Sequence, residues 1–163
     1  MNEHRRTAPA SVRCFVITIS DTRTEATDSS GNAIADLLTD GGHQVVGRRI
    51  VRDEPADVRN IVQWAASGAD VVITSGGTGI TSRDSTFEAI ESLLHKKLDG
   101  FGELFRMLSY EEIGAAAMLS RAAAGTLGRV AVFSLPGSEH AVRLAVTKLI
   151  LPEIGHVVRE LRR

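Results

Sequence analysis

The sequence lacks most of the features that would take it away from an ordinary soluble fold. It has a single cysteine, Cys14, so no disulfide can form within the chain. That thiol lies in the apolar run from Cys14 to Ile19, where a buried, unreactive cysteine is expected. There is no charge excess. The 19 lysines and arginines meet 20 aspartates and glutamates, for a formal net charge of -1, without the basic surplus that a nucleic-acid partner requires. No run approaches the roughly 18 uninterrupted apolar residues of a membrane span. Arg5 and Arg6 are accompanied by Glu3, and Arg13 interrupts the approach to the apolar run, so no export signal is expected and the protein reads as cytoplasmic. The five histidines show no metal spacing such as HxxxH, which argues against zinc. No internal repeat or low-complexity segment is present.

What remains is typical of one globular domain. A chain of 163 residues with 43% apolar and 24% charged side chains can build a single core. Residues 1–11 carry Pro9 and no apolar period and read as a loose tail, leaving 12–163 as the domain. Val12 to Ser20, Val45 to Val51, Asp70 to Thr74 and Arg129 to Leu135 are short β-branched runs. Between them apolar residues recur at helical spacing: Ile34, Leu37 and Leu38 before Gly41 and Gly42, then Val58, Ile61, Val62, Ala65 and Ala66 behind Pro55. Ala89, Ile90, Leu93 and Leu94 follow Ser85 and Glu88, which have capping-box spacing. Phe101, Leu104, Phe105 and Leu108 form another stripe, and Met107 and Met118 fit apolar helix faces. The small-residue stretch Gly114 to Gly125 reads as a helix plus a connection. Val142 to Leu149 make a helix and Pro152 opens a last one. Alternating strands and helices predict an α/β fold: an open, mainly parallel sheet with helices on both faces.

In such a sheet the ligand lies beyond the carboxyl ends of the strands. The richest of these ends is Ser75-Gly76-Gly77-Thr78-Gly79. Three glycines let the backbone approach a ligand and turn N–H groups toward an anion, and two hydroxyls add donors, which favours phosphate over a plain turn. No GKS or GKT follows, so this is not a Walker loop, and its place on the third strand excludes the dinucleotide fingerprint. Without the Walker lysine, positive charge must come from elsewhere, and Mg²⁺ on a carboxylate is the usual source. Asp84 is the candidate, with helix capping beside Ser85 as its alternative. Asp53 and Glu54 end the second strand, where capping before Pro55 explains them as well as ligand binding does. Ser138 in Pro136-Gly137-Ser138 is either an N-cap or an anion contact.

Taken together, TSGGTGITSRDSTFEA, GFGELFRMLSYEEIG, the pair Ser120 and Arg121, and LPGS resemble the MoaB/MogA family of molybdenum cofactor biosynthesis proteins over residues 12–160, closest to MoaB. The resemblance implies adenylylation of molybdopterin, in which the pterin's terminal phosphate attacks the α-phosphate of Mg-ATP. It implies Asp84 as the catalytic, Mg²⁺-linked carboxylate and Asp53 as its partner in catalysis. It implies ligand contacts from Ser75 to Gly79, from Ser20 and Asp21, and from Pro136, Gly137 and Ser138. A homotrimer or homohexamer and further proteins of the pathway are the implied partners. The alternative is a non-catalytic molybdopterin-binding or scaffold protein. The chain departs from the family pattern in Phe87, where a proline is usual, and in Arg52, where many relatives have proline.

Overall fold

The computed structural model describes residues 8–163. Six strands form one sheet in the order β2-β1-β3-β6-β5-β4: β1 (Arg13–Ile19), β2 (Gln44–Val51), β3 (Val71–Ser75), β4 (Lys96–Lys97), β5 (Ala123–Leu127) and β6 (Val130–Leu135). The pairs β2-β1, β1-β3 and β3-β6 are parallel. The helices are α1 (Ser29–Asp40), α2 (Pro55–Ala66), α3 (Thr86–Leu93), α4 (Asp99–Ile113), α5 (Glu139–Ala145) and α6 (Leu151–Arg162).

Residues that alternate along the strands supply two cores. Val16, Ile73 and Phe133 pack with α1, α5, α6 and the α4 side chains Phe101 and Phe105 on one face. Ile17, Val72 and Val132 pack with Val58 and Val62 of α2 and Ile90 of α3 on the other. A strand buried on both faces has no polar alternation, which is why β3 reads as an unbroken apolar run. Cys14 is fully buried, and burial pushes its thiol up to about 12. No helix among the described residues is long and apolar enough to cross a membrane.

Four expectations are corrected. Gly114 to Gly125 is a helix plus a connection only in part: Gly114–Leu119 is helical, as a 3-10 helix, but Ala123–Leu127 is β5, which turns at Gly128 (φ 61°) into antiparallel pairing with β6. The small residues there serve close approach, since a Cβ on Gly125 would stand 2.8 Å from Leu94 Cδ1, and alanine and glycine carry little strand signal. The capping box does not form, because Ser85 makes no side-chain cap and Glu88 pairs with Arg121. The C-terminal helix does not restart at Pro152. It runs on from α5 through a π turn, Val146–Ile150, into α6. Met107 and Met118 are exposed, at 52% and 75%. Of the expected loose tail, residues 1–7 lie outside the described part; Ala8 and Pro9 pass close to Gly155 of α6.

Candidate functional site

The ends of β1, β2, β3 and β6 meet at one end of the sheet, and glycines allow the approach. Gly76 leaves β3 with φ 94° and donates its N–H to the Leu135 carbonyl at 3.0 Å. A Cβ there would overlap the Ile19 carbonyl oxygen, so both the dihedral and the contact demand glycine. Gly77 (φ 69°) faces Ile19 and Thr86, each 3.1 Å from where its Cβ would stand. Gly137, in the turn Pro136-Gly137-Ser138, lies over Gly76.

The acidic residues join this cluster through hydrogen bonds rather than caps. Asp21 Oδ1 accepts the Asp53 N–H at 3.0 Å, and Asp53 Oδ1 accepts the Thr86 hydroxyl, so the ends of β1 and β2 are tied to the start of α3. Glu54 holds the N-cap position of α2 without a side-chain bond, which removes the capping explanation for that step. Asp84 does not cap α3 either. Its Oδ2 accepts from the Thr81 hydroxyl at 2.7 Å and the Thr81 N–H at 2.8 Å, closing the loop that follows the glycines. Those two bonds, with smaller help from Arg121 and Arg83, hold its carboxyl below the usual range, so it is ionised at neutral pH. Ser138 does act as a cap, accepting from Ala141 N–H at 3.2 Å. Ser20 turns the loop after β1 by accepting from the N–H groups of Thr22 and Arg23.

The backbone of the glycine loop is polarised. Among the described residues, the N–H groups of Gly77, Thr78, Gly79 and Ile80 have no acceptor. The carbonyls of Thr78 and Gly79 are both taken by Arg121, the first by Nε at 3.1 Å and the second by Nη2. Consecutive free N–H groups with occupied carbonyls form a partial positive surface suited to an anion. Ser75 is fully buried with its hydroxyl unpartnered, as are the Thr74 and Ser134 hydroxyls at the same end of the sheet, so Thr78 carries the loop's half-buried hydroxyl.

These contacts tie Asp21, Asp53, Gly76, Gly77 and Gly137 to one end of the sheet and Asp84 to the loop that continues from it, whereas the Ser75 hydroxyl, expected to contact ligand, is buried away from it. Sequence reasoning missed Thr86, Arg121 as a loop partner, and Arg23, which reaches Ser30 Oγ at 3.0 Å and the Gly137 carbonyl at 3.3 Å. No spacing signal marks them, since Arg121 lies 43 residues from Thr78 and Arg23 lies 114 from Gly137.

Among the described residues no three ligating side chains cluster. Magnesium, however, normally takes one or two carboxylates and completes its shell with waters and substrate phosphates. Asp84, ionised and with Oδ1 outside the Thr81 contacts, fits that mode and does not fit an all-protein cage.

The chain and its fold are similar to known proteins. The family described as "Probable molybdopterin binding domain" matches residues 15–156. Molybdenum cofactor biosynthesis protein B of Bacillus anthracis is 55% identical over 166 residues, covering 100% of this chain and 98% of that protein. A crystal structure of a molybdenum cofactor biosynthesis protein B superposes with a TM-score of 0.92 at 56% identity, covering 96% of this chain and 99% of the other. The tungsten cofactor synthesizing protein MoaB of Pyrococcus furiosus gives 0.83 at 44% identity, with 96% and 100% covered. With identity of that order over the whole domain and the glycine loop at its centre, the chain belongs to the MoaB/MogA family of molybdenum cofactor biosynthesis proteins.

Proposed function

We propose that this chain adenylylates molybdopterin at the glycine-loop end of the sheet. An oxygen of the pterin's terminal phosphate attacks the α-phosphorus of ATP, the α–β anhydride bond breaks, and adenylyl-molybdopterin and pyrophosphate leave. The observation that carries this reading is the run of four free N–H groups, Gly77 to Ile80, beside an ionised Asp84. Phosphoryl and nucleotidyl transfers need alignment and charge neutralisation more than a covalent nucleophile, and such a surface supplies both.

The roles divide by chemistry. Gly77, Thr78, Gly79 and Ile80 bind phosphate oxygens through N–H groups and the Thr78 hydroxyl, while Gly76, its N–H committed to Leu135, makes the turn that presents them. Asp84 would hold Mg²⁺ together with the triphosphate; bound there, the metal supplies neutralisation of phosphate charge. Asp53 fixes the start of α3 through Thr86 and leaves its second oxygen for a substrate donor. Ser20, Asp21, Pro136, Gly137 and Ser138 shape the walls. The assembly proposed is a cytoplasmic homotrimer or homohexamer working with other proteins of the pathway, and exposed apolar residues on and after α4 support self-association: Leu104, Met107, Ile113, Met118 and Leu119 are each about half exposed or more.

The test is turnover of purified molybdopterin with Mg-ATP, read as pyrophosphate release, for the wild type and Asp84→Asn. Asparagine keeps an oxygen for Thr81 but loses the charge, so the loop stays closed while the rate falls about a hundredfold to a thousandfold. Wild-type turnover in Asp84→Asn would remove Asp84 from the chemistry. Molybdopterin binding without turnover by the wild-type protein would leave a non-catalytic role for the same site.

A further inference from the structure

Arg121 contacts the glycine loop directly, and its geometry differs from that of a phosphate ligand. Nε and Nη2 are committed to the Thr78 and Gly79 carbonyls, and Nη1 to Glu88. The guanidinium also lies 4.7 Å from the centre of the Phe87 ring, and Phe87 is only 7% exposed. Three edges and one face are thus in use, all on groups behind the loop. Arg121 reaches this position because β5 runs antiparallel to β6, with Ala123 opposite Ser134, so the residues entering β5 stand at the carboxyl end of β6.

We infer that Arg121 is a positioning residue of this site: it fixes the peptide planes 78–79 and 79–80 so that the N–H groups of Gly79 and Ile80 face the anion. The inference rests on the phosphate reading of the loop. In a trans peptide the C=O and N–H point in opposite directions, and the described chain has no cis bond. Drawing the Thr78 and Gly79 carbonyls to one side therefore turns the N–H groups of the following residues to the other. A planar fork suits this task, because two adjacent carbonyls and a carboxylate can be met at fixed angles, whereas an ammonium is a single point charge. Phe87, which stands where the family pattern has proline, supplies the flat seat, and Glu88 supplies the brace that keeps the guanidinium from swinging toward the phosphates. Glu88 is itself held below the usual carboxylate range, first by its bond to Arg121.

The experiment uses the full chain and inorganic pyrophosphate as probe, with Arg121→Lys and Arg121→Met. Carbonyl-13C threonine combined with 15N-glycine marks one peptide only, Thr78-Gly79, because no other Thr-Gly pair occurs in the sequence. In both variants that resonance should shift before any ligand is added, and pyrophosphate affinity by calorimetry should fall about tenfold, the worth of roughly one hydrogen bond to a charged group. Lysine retains the charge, so an electrostatic role would be rescued by Arg121→Lys and the positioning role would not. Should Arg121→Met fail to fold, Arg121→Lys alone decides. Wild-type affinity in Arg121→Lys overturns the inference while leaving the phosphate reading intact. Absence of pyrophosphate binding by the wild type overturns the phosphate reading and the inference with it, and an unshifted Thr78-Gly79 resonance in the variants shows that no clamp exists.

Discussion

Replacing Gly79 with alanine should damage the site and spare the fold. The added Cβ would stand 2.8 Å from Asp84 Cγ and overlap Oδ2. Carbon atoms pack at about 3.5 to 4.0 Å, so the carboxylate must retreat by about 1 Å. It is held at 2.7 and 2.8 Å by the hydroxyl and N–H of Thr81, and a shift of that size stretches both beyond bonding distance. Because the three atoms nearest the new methyl all belong to the half-buried Asp84 side chain and not to the core, the melting temperature should fall by less than about 3 °C. Catalysis is more sensitive to position, and a misplacement of about 1 Å in a reacting constellation costs about a hundredfold. Pyrophosphate release with molybdopterin and Mg-ATP reads the rate, and circular dichroism reads the melting point. Gly76→Ala is the contrast: there the new methyl meets a backbone oxygen at a left-handed φ, and global stability should suffer instead. Undiminished turnover in Gly79→Ala would show that the position of Asp84 is immaterial, and a melting point as low as that of Gly76→Ala would refute the view that the loop is mechanically separate from the core.

Two further outcomes follow from other parts of the molecule. His43 accepts the Val12 N–H at its Nδ1, and burial lowers its pKa from 6.5. The unfolded chain therefore takes up the proton first, so its contribution to stability is complete above pH 6.5 and lost as pH falls through the folded-state value. Thermal melts in a pH series should show this slope in the wild type and a shallower one in His43→Gln; parallel curves would exclude it. Light scattering at micromolar concentration should give an oligomer mass, reduced by Met107→Glu or Ile113→Glu on the exposed α4 surface, and a wild-type monomer would refute self-association.

The parallel half of the sheet was legible because β1, β2, β3 and β6 are β-branched and flanked by helices of clear period. The antiparallel half was not. Ala123 to Leu127 is dominated by small residues whose place is set by contact with β6 and with Leu94, and such contacts leave no periodic trace. At the site, glycines gave the position of the loop and acidic residues gave its neighbours. The partners of those acids stayed hidden, since hydrogen bonds such as Asp53 to Thr86 join residues 33 apart. Local rules pointed Asp84, Glu54 and Glu88 toward caps that the fold does not use, because each has a stronger tertiary or loop partner or none at all.

The π turn at Val146–Ile150 also fixes which side of the last helix meets the sheet. Leu151 donates to the Val146 carbonyl, five residues back, so the turn holds one residue more than an α-helical turn. That spare residue spreads the backbone where Pro152 could not donate and where its ring would press on the preceding turn. It also rotates everything downstream by about 100°. In the resulting phase Ile154 and Val158 are the buried residues of α6. Removing one residue from this turn would leave composition and helix content nearly unchanged, yet would swing Gly155, Arg159 and Arg162 into the places of Ile154, Val158 and Leu161 on the apolar face. The C-terminal segment thus behaves as a reading frame, tolerant of substitution on its outer side and intolerant of a single-residue change in length.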